Sequence, residues 1–216
     1  MKLLDLSHTI EENMTTLRSF PKPKIEPFFD GEQSMAFYRG VTFEVTRVDM
    51  VTSLGTYIDS PFHRWPEGRD IAQLRLEEVI LPGVIVDASQ RGDGKAISPE
   101  MLPDMDFVGK AILFYTGWDR YWRREEYYRH PFLSKDVAEL LRQRKPGLVG
   151  IDALNVDNAA DHRRPAHTLL LKDDILIVEN LTGLGQLLER EFTFFAIPVK
   201  VRGAASFPVR AFTFME

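Results

Sequence analysis

The chain has 216 residues, which suits one large domain or two very small ones. Its formal net charge is −5, from 27 Lys and Arg against 32 Asp and Glu, and it has no basic stripe, so nucleic acid is not an expected partner. Cysteine is absent, which excludes disulfides, zinc–thiolate sites and cysteine nucleophiles. Imidazole chemistry must therefore come from five histidines: His8, His63, His130, His162 and His167.

The start of the chain and its hydropathy predict a soluble, cytoplasmic protein. Asp5 follows two leucines, so the first residues lack the apolar region of a signal peptide. No window approaches 18 uninterrupted apolar residues, and we therefore do not expect a membrane among the partners.

Strands and loops dominate the first half of the chain. Residues 17–29 contain three prolines and predict an extended loop. Residues 41–48 alternate apolar and polar side chains, which predicts a half-buried strand. Residues 76–80 predict a short helix. Residues 84–87 and 111–115 are short, continuous apolar runs, which are typical of buried strands.

The second half of the chain interleaves helices with strands. Ser134 can cap a helix that runs through Leu141 and ends at Lys145. The leucine spacing of residues 182–190 is also helical. Three further buried strands are predicted over residues 148–151, 175–178 and 192–199. Residues 207–214 predict an edge strand, because they contain a proline. The pattern predicts one α/β domain over residues 1–216, with a curved mixed sheet.

A dense polar cluster lies in apolar surroundings near residue 60. Four residues that can carry chemistry occupy odd positions and share one face of an extended chain: Ser53, Tyr57, Asp59 and His63. Gly55 and Pro61 are the points where the chain can bend and bring this face together. Asp59 and His63 can form a carboxylate–imidazole pair that acts as a general base, or a turn cap and a surface histidine.

A second cluster runs from His167 to Asn180. Glu179 ends an apolar run of four residues. A carboxylate at the end of a buried strand must be paired, hydrogen-bonded or bound to metal, because an isolated buried charge is very costly. The alternative is that Glu179 lies at the rim of the sheet in water.

In this order, the motifs resemble those of the cyclase family of metal-dependent hydrolases, which includes bacterial kynurenine formamidase and isatin hydrolase. The similarity runs from Asp5-Leu6-Ser7-His8 through the framework of residues 53–63 and on to His167 and Glu179-Asn180-Leu181. Residues 203–210 are similar to the closing segment of the family. The resemblance implies a swivelling β/β/α domain with a curved sheet, assembled as a dimer or a tetramer, and a small-molecule substrate.

The chain departs from this family at two signature positions. Ser53 and Tyr57 replace histidines that help the family bind zinc or manganese, and neither hydroxyl is a good ligand for such ions. The resemblance leaves Asp59, His167 and Glu179 as metal ligands, with Glu179 also in the catalytic set. It gives His63 the role of moving the proton. Arg210 can bind a substrate carboxylate through its fork of donors, or form a structural ion pair.

Two interpretations stay open for this site. In the first, Asp59, His167 and Glu179 hold one divalent ion, such as Zn²⁺ or Mn²⁺, with reduced affinity. The chain is then a hydrolase of amide-type C–N bonds that resembles an arylformamidase of tryptophan catabolism, with water attacking a carbonyl. In the second, no metal binds, and the hydroxyls of Ser53 and Tyr57 hydrogen-bond to Asp59 and Glu179. The chain then performs metal-free chemistry or is a silent small-molecule-binding or oligomer-scaffold protein.

Overall fold

The computed structural model describes residues 2–215. Its strands are β1 (Lys2–Asp5), β2 (Lys24–Phe29), β3 (Val45–Asp49), β4 (Tyr57–Asp59), β5 (Ile80–Asp87), β6 (Ala96–Ile97), β7 (Ala111–Tyr115), β8 (Phe132–Leu133), β9 (Leu148–Ile151), β10 (Leu176–Glu179), β11 (Thr193–Phe195), β12 (Ser206–Pro208) and β13 (Phe212–Met215). Its α-helices are α1 (Gly31–Phe37), α2 (Leu76–Val79), α3 (Lys135–Arg144) and α4 (Pro165–Lys172). Short 3-10 turns, including Pro61–His63, connect several of them.

Nine strands form one curled mixed sheet in the order β1-β13-β11-β5-β7-β9-β10-β4-β12. The central strands β5, β7, β9 and β10 are parallel, and the strands on both sides of them are antiparallel. In this register Tyr57 of β4 lies directly opposite Glu179 of β10, and Asp59 lies opposite Ser206 of β12. The predicted α/β fold with a curved mixed sheet is confirmed. The extent of the domain over residues 1–216 stays a prediction.

The core lies on both faces of the sheet, because successive side chains of a strand point to opposite sides. On one face, Ile112 and Phe114 of β7 belong to the cluster that includes Val137 and Leu141 of α3. On the other face, Leu113 packs with apolar side chains of β10 and β11. Burial on both faces accounts for the continuous apolar runs in the central strands.

The structure differs from the sequence-based expectation in a protruding hairpin. Residues 17–29 are not all loop, because β2 pairs with β3 in a separate two-stranded sheet. An irregular register between Pro27 and Phe29 accommodates the proline. Every side chain of β3 is exposed, so the prediction of a half-buried strand over residues 41–48 is also wrong. Alternation marks a face that can be buried, but it does not supply the surface that covers that face.

Four other elements differ from the predictions. The predicted strand 192–199 is ordered as a strand only at β11, and the helical spacing of 182–190 yields a 3-10 turn at Leu184–Leu187. The predicted edge strand 207–214 divides into β12, which is at an edge, and β13, which lies between β1 and β11. Helix α4 was not expected from the sequence. Within residues 2–215, none of the helices combines the length and the apolar composition needed to cross a bilayer.

Candidate active site

Four elements bring the site together at the β4 side of the sheet. Strand β4 presents Tyr57 and Asp59 on the same face, and β10 ends at Glu179. Gly55 has a φ of +66°, and Pro61 begins the 3-10 turn that carries His63, so the chain bends at both expected positions. Helix α4 supplies His167.

Asp59 is at the centre of the site. Its side chain is 0% exposed, and neither carboxylate oxygen has a hydrogen-bond partner within residues 2–215. Oδ2 lies 3.5 Å from Nε2 of His167, and Oδ1 lies 3.4 Å from Nδ1 of His63. A buried carboxylate without hydrogen bonds is costly unless a cation or a proton balances it. The nearest cationic group to Asp59 is the His167 ring, and the carboxylate has no shorter polar contact within residues 2–215 than those to the two imidazoles.

His167 is oriented by a carboxylate on the other side of its ring. Nδ1 lies 2.7 Å from Oδ2 of Asp157, whose oxygens also accept from the backbone amides of Ala166 and His167. This contact directs Nε2 towards Asp59 and Glu179, each 3.5 Å away. Burial alone would lower the pKa of His167, but the charge of Glu179 and the hydrogen bond to Asp157 outweigh it and raise the pKa to about 10.

Glu179 is fully buried but well supplied with donors. Oε1 accepts from the amide of Val156 at 2.8 Å, and Oε2 accepts from the Tyr57 hydroxyl and from Nδ2 of Asn155. Burial raises the pKa of Glu179 to about 7, and the His167 charge opposes this rise. Glu179 and Asp59 therefore differ, because Glu179 is hydrogen-bonded and Asp59 is not.

The two residues that replace family histidines form different contacts. Tyr57 donates its hydroxyl to Glu179, and burial together with the Glu179 charge raises its pKa well above the usual value, which keeps the phenol neutral. The hydroxyl of Ser53 lies 2.8 Å from Oγ of Ser206, which also contacts Thr52. The expected hydrogen bond of Tyr57 is therefore present, but the one expected from Ser53 to Asp59 or Glu179 is not. Ser53 contacts Ser206 because β12 runs alongside β4.

The site has the ligand atoms to hold a divalent cation. Ligand atoms of Asp59, His63 and His167 all lie within 4.8 Å of one another. This group contains His63 where the sequence predicted Glu179, although Glu179 Oε1 remains 3.5 Å from His167 Nε2. Carboxylate oxygen and imidazole nitrogen suit Zn²⁺ and Mn²⁺. The Asp59 oxygens, which have no hydrogen-bond partner within the described residues, are free to coordinate a cation.

A family model described as "Putative cyclase" matches residues 4–158. The chain belongs to the cyclase family. The resemblance that the motifs indicated is thereby confirmed. The match includes Asp59 and His63 but ends before His167 and Glu179.

This cyclase-family chain is similar to several known proteins over nearly its whole length. It is 28% identical to "Kynurenine formamidase" of Bacillus cereus (strain ATCC 14579), covering 96% of this chain and 95% of the relative. It is 30% identical to "Uncharacterized protein MJ0783" of Methanocaldococcus jannaschii, covering 97% of each chain. The relative named kynurenine formamidase supports a hydrolytic function at the level of the family.

Solved structures share the fold. "The Structure Of Potential Metal-Dependent Hydrolase With Cyclase Activity" superposes with a TM-score of 0.82 at 25% identity, covering 100% of this chain and 98% of that one. Isatin hydrolase A from Ralstonia solanacearum gives a TM-score of 0.84 at 21% identity, over 100% and 92% of the two chains. At that identity the isatin hydrolase shows the fold alone.

Arg210 and two further histidines contact residues outside the Asp59 centre. Arg210 is exposed and pairs with Asp5 at 2.7 Å, which matches the structural alternative for this residue. His8 stacks on Trp122 with ring centroids 3.9 Å apart. His130 is buried, and Nδ1 lies 2.8 Å from the carbonyl oxygen of Pro131.

Sequence reasoning missed three residues near the site: Asn155, Asp157 and Arg164. Asn155 and Asp157 follow β9 and contact Glu179 and His167. Their signal in the sequence was a pair of polar residues shortly after a buried strand, where the ends of parallel strands gather functional groups. Arg164 immediately precedes α4, and that helix was itself not expected.

Proposed function

We propose that this cyclase-family chain hydrolyses amide-type C–N bonds in small aromatic substrates, with a divalent cation at Asp59. The observation that carries the proposal is the Asp59 carboxylate, which is 0% exposed and lacks any hydrogen bond within the described chain. Two imidazoles approach it within 3.5 Å. Without an ion, the charged His167 ring balances this carboxylate, and a divalent metal ion is a ligand that the carboxylate and the two imidazoles can share.

Asp59, His167 and Glu179 are the residues that we assign to the cation. Asp157 holds the His167 ring from behind, so that Nε2 is directed to the ion position. When bound there, a divalent ion supplies Lewis acidity, which polarises a carbonyl and favours ionised water. Tyr57 keeps Glu179 in place through its hydroxyl.

His63 is the residue that we assign to proton transfer. Its side chain is 36% exposed, whereas Asp59 and His167 are closed off from solvent, so His63 can meet water and substrate. Nδ1 faces Oδ1 of Asp59 at 3.4 Å, which allows the carboxylate to orient the ring. From this position the imidazole can take a proton from the attacking water and return it to the leaving nitrogen.

A catalytically silent protein that binds a small molecule without metal is the second candidate. Its support comes from the two replaced positions: the Tyr57 hydroxyl is bonded to Glu179, and Ser53 is bonded to Ser206. If this candidate is right, replacing both residues by histidine (Ser53→His with Tyr57→His) should create metal binding in a chain that lacked it. Failure of the double variant to bind metal would show that the pocket differs in other ways as well.

The deciding experiment uses protein purified without a chelator. Metal analysis should find about one equivalent of Zn²⁺ or Mn²⁺ per chain, and an aryl formamide should be hydrolysed by the loaded protein but not after metal removal. His63→Ala should abolish turnover and leave the metal content unchanged. Loss of the metal in that variant would make His63 a ligand. Metal below about a tenth of an equivalent, with no rise in melting temperature on adding the ion, would refute the proposal.

We also propose the cellular context that this reaction implies. The relatives named kynurenine formamidase support an aryl formamide substrate, and therefore a place in tryptophan catabolism. We propose a cytoplasmic homo-oligomer, a dimer or a tetramer, which light scattering on the purified chain can test.

A further inference from the structure

Arg164 stands beside the proposed active site in a strained conformation. It immediately precedes Pro165, the first residue of α4, and lies three positions before His167. Its φ of 50° and ψ of 59° are in the left-handed region, which an arginine rarely adopts. Residues held in such conformations concentrate at functional sites, where the surrounding structure maintains the strain.

The guanidinium of Arg164 is not satisfied by the described chain. Its Nη1 is buried and has no hydrogen-bond partner within residues 2–215. The neighbouring arginine behaves differently, since Arg163 pairs with Asp161 at 2.9 Å. A buried donor of a charged group costs free energy when it is unpaired, so a ligand that offers an acceptor would stabilise this arrangement.

The positive charge of Arg164 affects the pKa values of two neighbouring side chains, His130 and Tyr57. Burial lowers the pKa of His130 to about 4, and the Arg164 charge adds to that lowering. The same charge opposes the burial that raises the pKa of Tyr57. Arg164 is thus close enough to act on Tyr57, whose hydroxyl donates to Glu179 in the site.

We propose that Arg164 binds a carboxylate on the substrate and thereby determines specificity. The inference rests on the proposed function, because it names the class of amide that the site accepts: an aryl amide that carries an anionic carboxylate. The planar guanidinium fork matches the geometry of a carboxylate. Asp59, Asp157 and Glu179 already place negative charge nearby, so a singly charged carboxylate suits the position better than a phosphate does.

The kinetic test compares matched substrates on the metal-loaded protein. Formanilide has no carboxylate, and the ortho, meta and para isomers of formamidobenzoate each add one. The wild type should prefer one isomer over formanilide in kcat/KM. Arg164→Asn, which suits a left-handed backbone, should reduce that preference by about tenfold or more, the effect of losing a hydrogen bond to a charged group. Arg164→Lys should keep part of the preference for the carboxylate-bearing isomer. The control variant Arg163→Asn should keep all of it.

A binding test separates this inference from the proposed function. Calorimetry should show that benzoate binds the wild type more tightly than benzamide, and that Arg164→Asn removes the difference while its melting temperature stays at or above that of the wild type. If no aryl formamide is hydrolysed, the proposed function fails, but benzoate binding still tests Arg164. The inference is overturned if the wild type does not prefer benzoate, or if Arg164→Asn keeps the preference.

Discussion

At the scale of single residues, Asp157 orients the His167 ring in the proposed cation site. The carboxylate accepts from His167 Nδ1 at 2.7 Å and from two backbone amides. Asp157→Asn would place an amide donor against these donors and release the ring. We expect metal affinity to fall about tenfold to a hundredfold, the usual effect of losing such a supporting contact.

The measurement for Asp157→Asn is a metal titration, with Asp161→Asn as the matched control. Asp161 lies in the same loop but pairs with Arg163 near the surface. An unchanged affinity in Asp157→Asn would mean that His167 is oriented by other contacts or is not a ligand.

The residues that the sequence could identify are those within recognisable motifs. Asp59, His63, His167 and Glu179 were all found in this way, and the structure brings them together. The contact of Ser53 with Ser206 could not be predicted, because it depends on how a strand 153 positions later is placed beside β4. Arg164 was missed since its significance comes from an unpaired buried atom, which no pattern of residue types reveals.

At the scale of elements, the 3-10 turn that carries His63 is packed against Gly68. A Cβ at position 68 would lie 2.7 Å from the carbonyl carbon of Pro61 and 2.9 Å from the amide nitrogen of Phe62. Both are backbone atoms, so the turn itself must shift. Gly68→Ala should lower the free energy of unfolding by about 1–3 kcal/mol and displace His63, with a loss of turnover.

Denaturant unfolding and turnover of Gly68→Ala should be compared with those of Gly92→Ala, where the added Cβ would meet nothing within 4 Å. Equal stability of the two variants would show that the turn yields without cost.

Elements with a local cause were predicted well. Helix α3 has Ser134 as its N-cap, which accepts from the amide of Val137, and β7 and β9 are continuous apolar runs. The hairpin of β2 and β3 was missed because Pro27 argues against a strand, and an irregular register accommodates it. Helix α4 was missed because its start depends on Asp157, which accepts from two amides in its first turn.

At the scale of the whole molecule, the buried His130 should make the fold sensitive to acid. Burial lowers its pKa from 6.5 to about 4, so the unfolded chain binds more protons between these values. The free energy of unfolding is therefore not reduced by this group above about pH 6.5, where the imidazole is neutral in both states. It falls by up to about 3 kcal/mol as the pH drops towards 4.

Denaturant unfolding across this pH range checks the expectation with His130→Gln, which cannot titrate, and with His162→Gln, whose side chain is exposed. The loss of stability on acidification should be smaller in His130→Gln and unchanged in His162→Gln. An identical pH dependence in all three proteins would exclude His130 as the cause.

The curled sheet as a whole buries the carboxylate on which the proposed function depends. It closes Asp59 off from water without giving it a hydrogen bond within the described residues. Asp59→Asn removes the charge of this carboxylate and leaves the buried His167 ring without one of the carboxylates that raise its pKa. The same substitution should also remove a ligand.

The most direct test is the melting temperature of wild type and Asp59→Asn with and without excess Zn²⁺ or Mn²⁺. We expect the ion to raise the melting temperature of the wild type and to leave that of Asp59→Asn unchanged, because only a bound ion stabilises the native state in this way. An absence of any rise in the wild type, or an equal rise in Asp59→Asn, would contradict a cation site at Asp59.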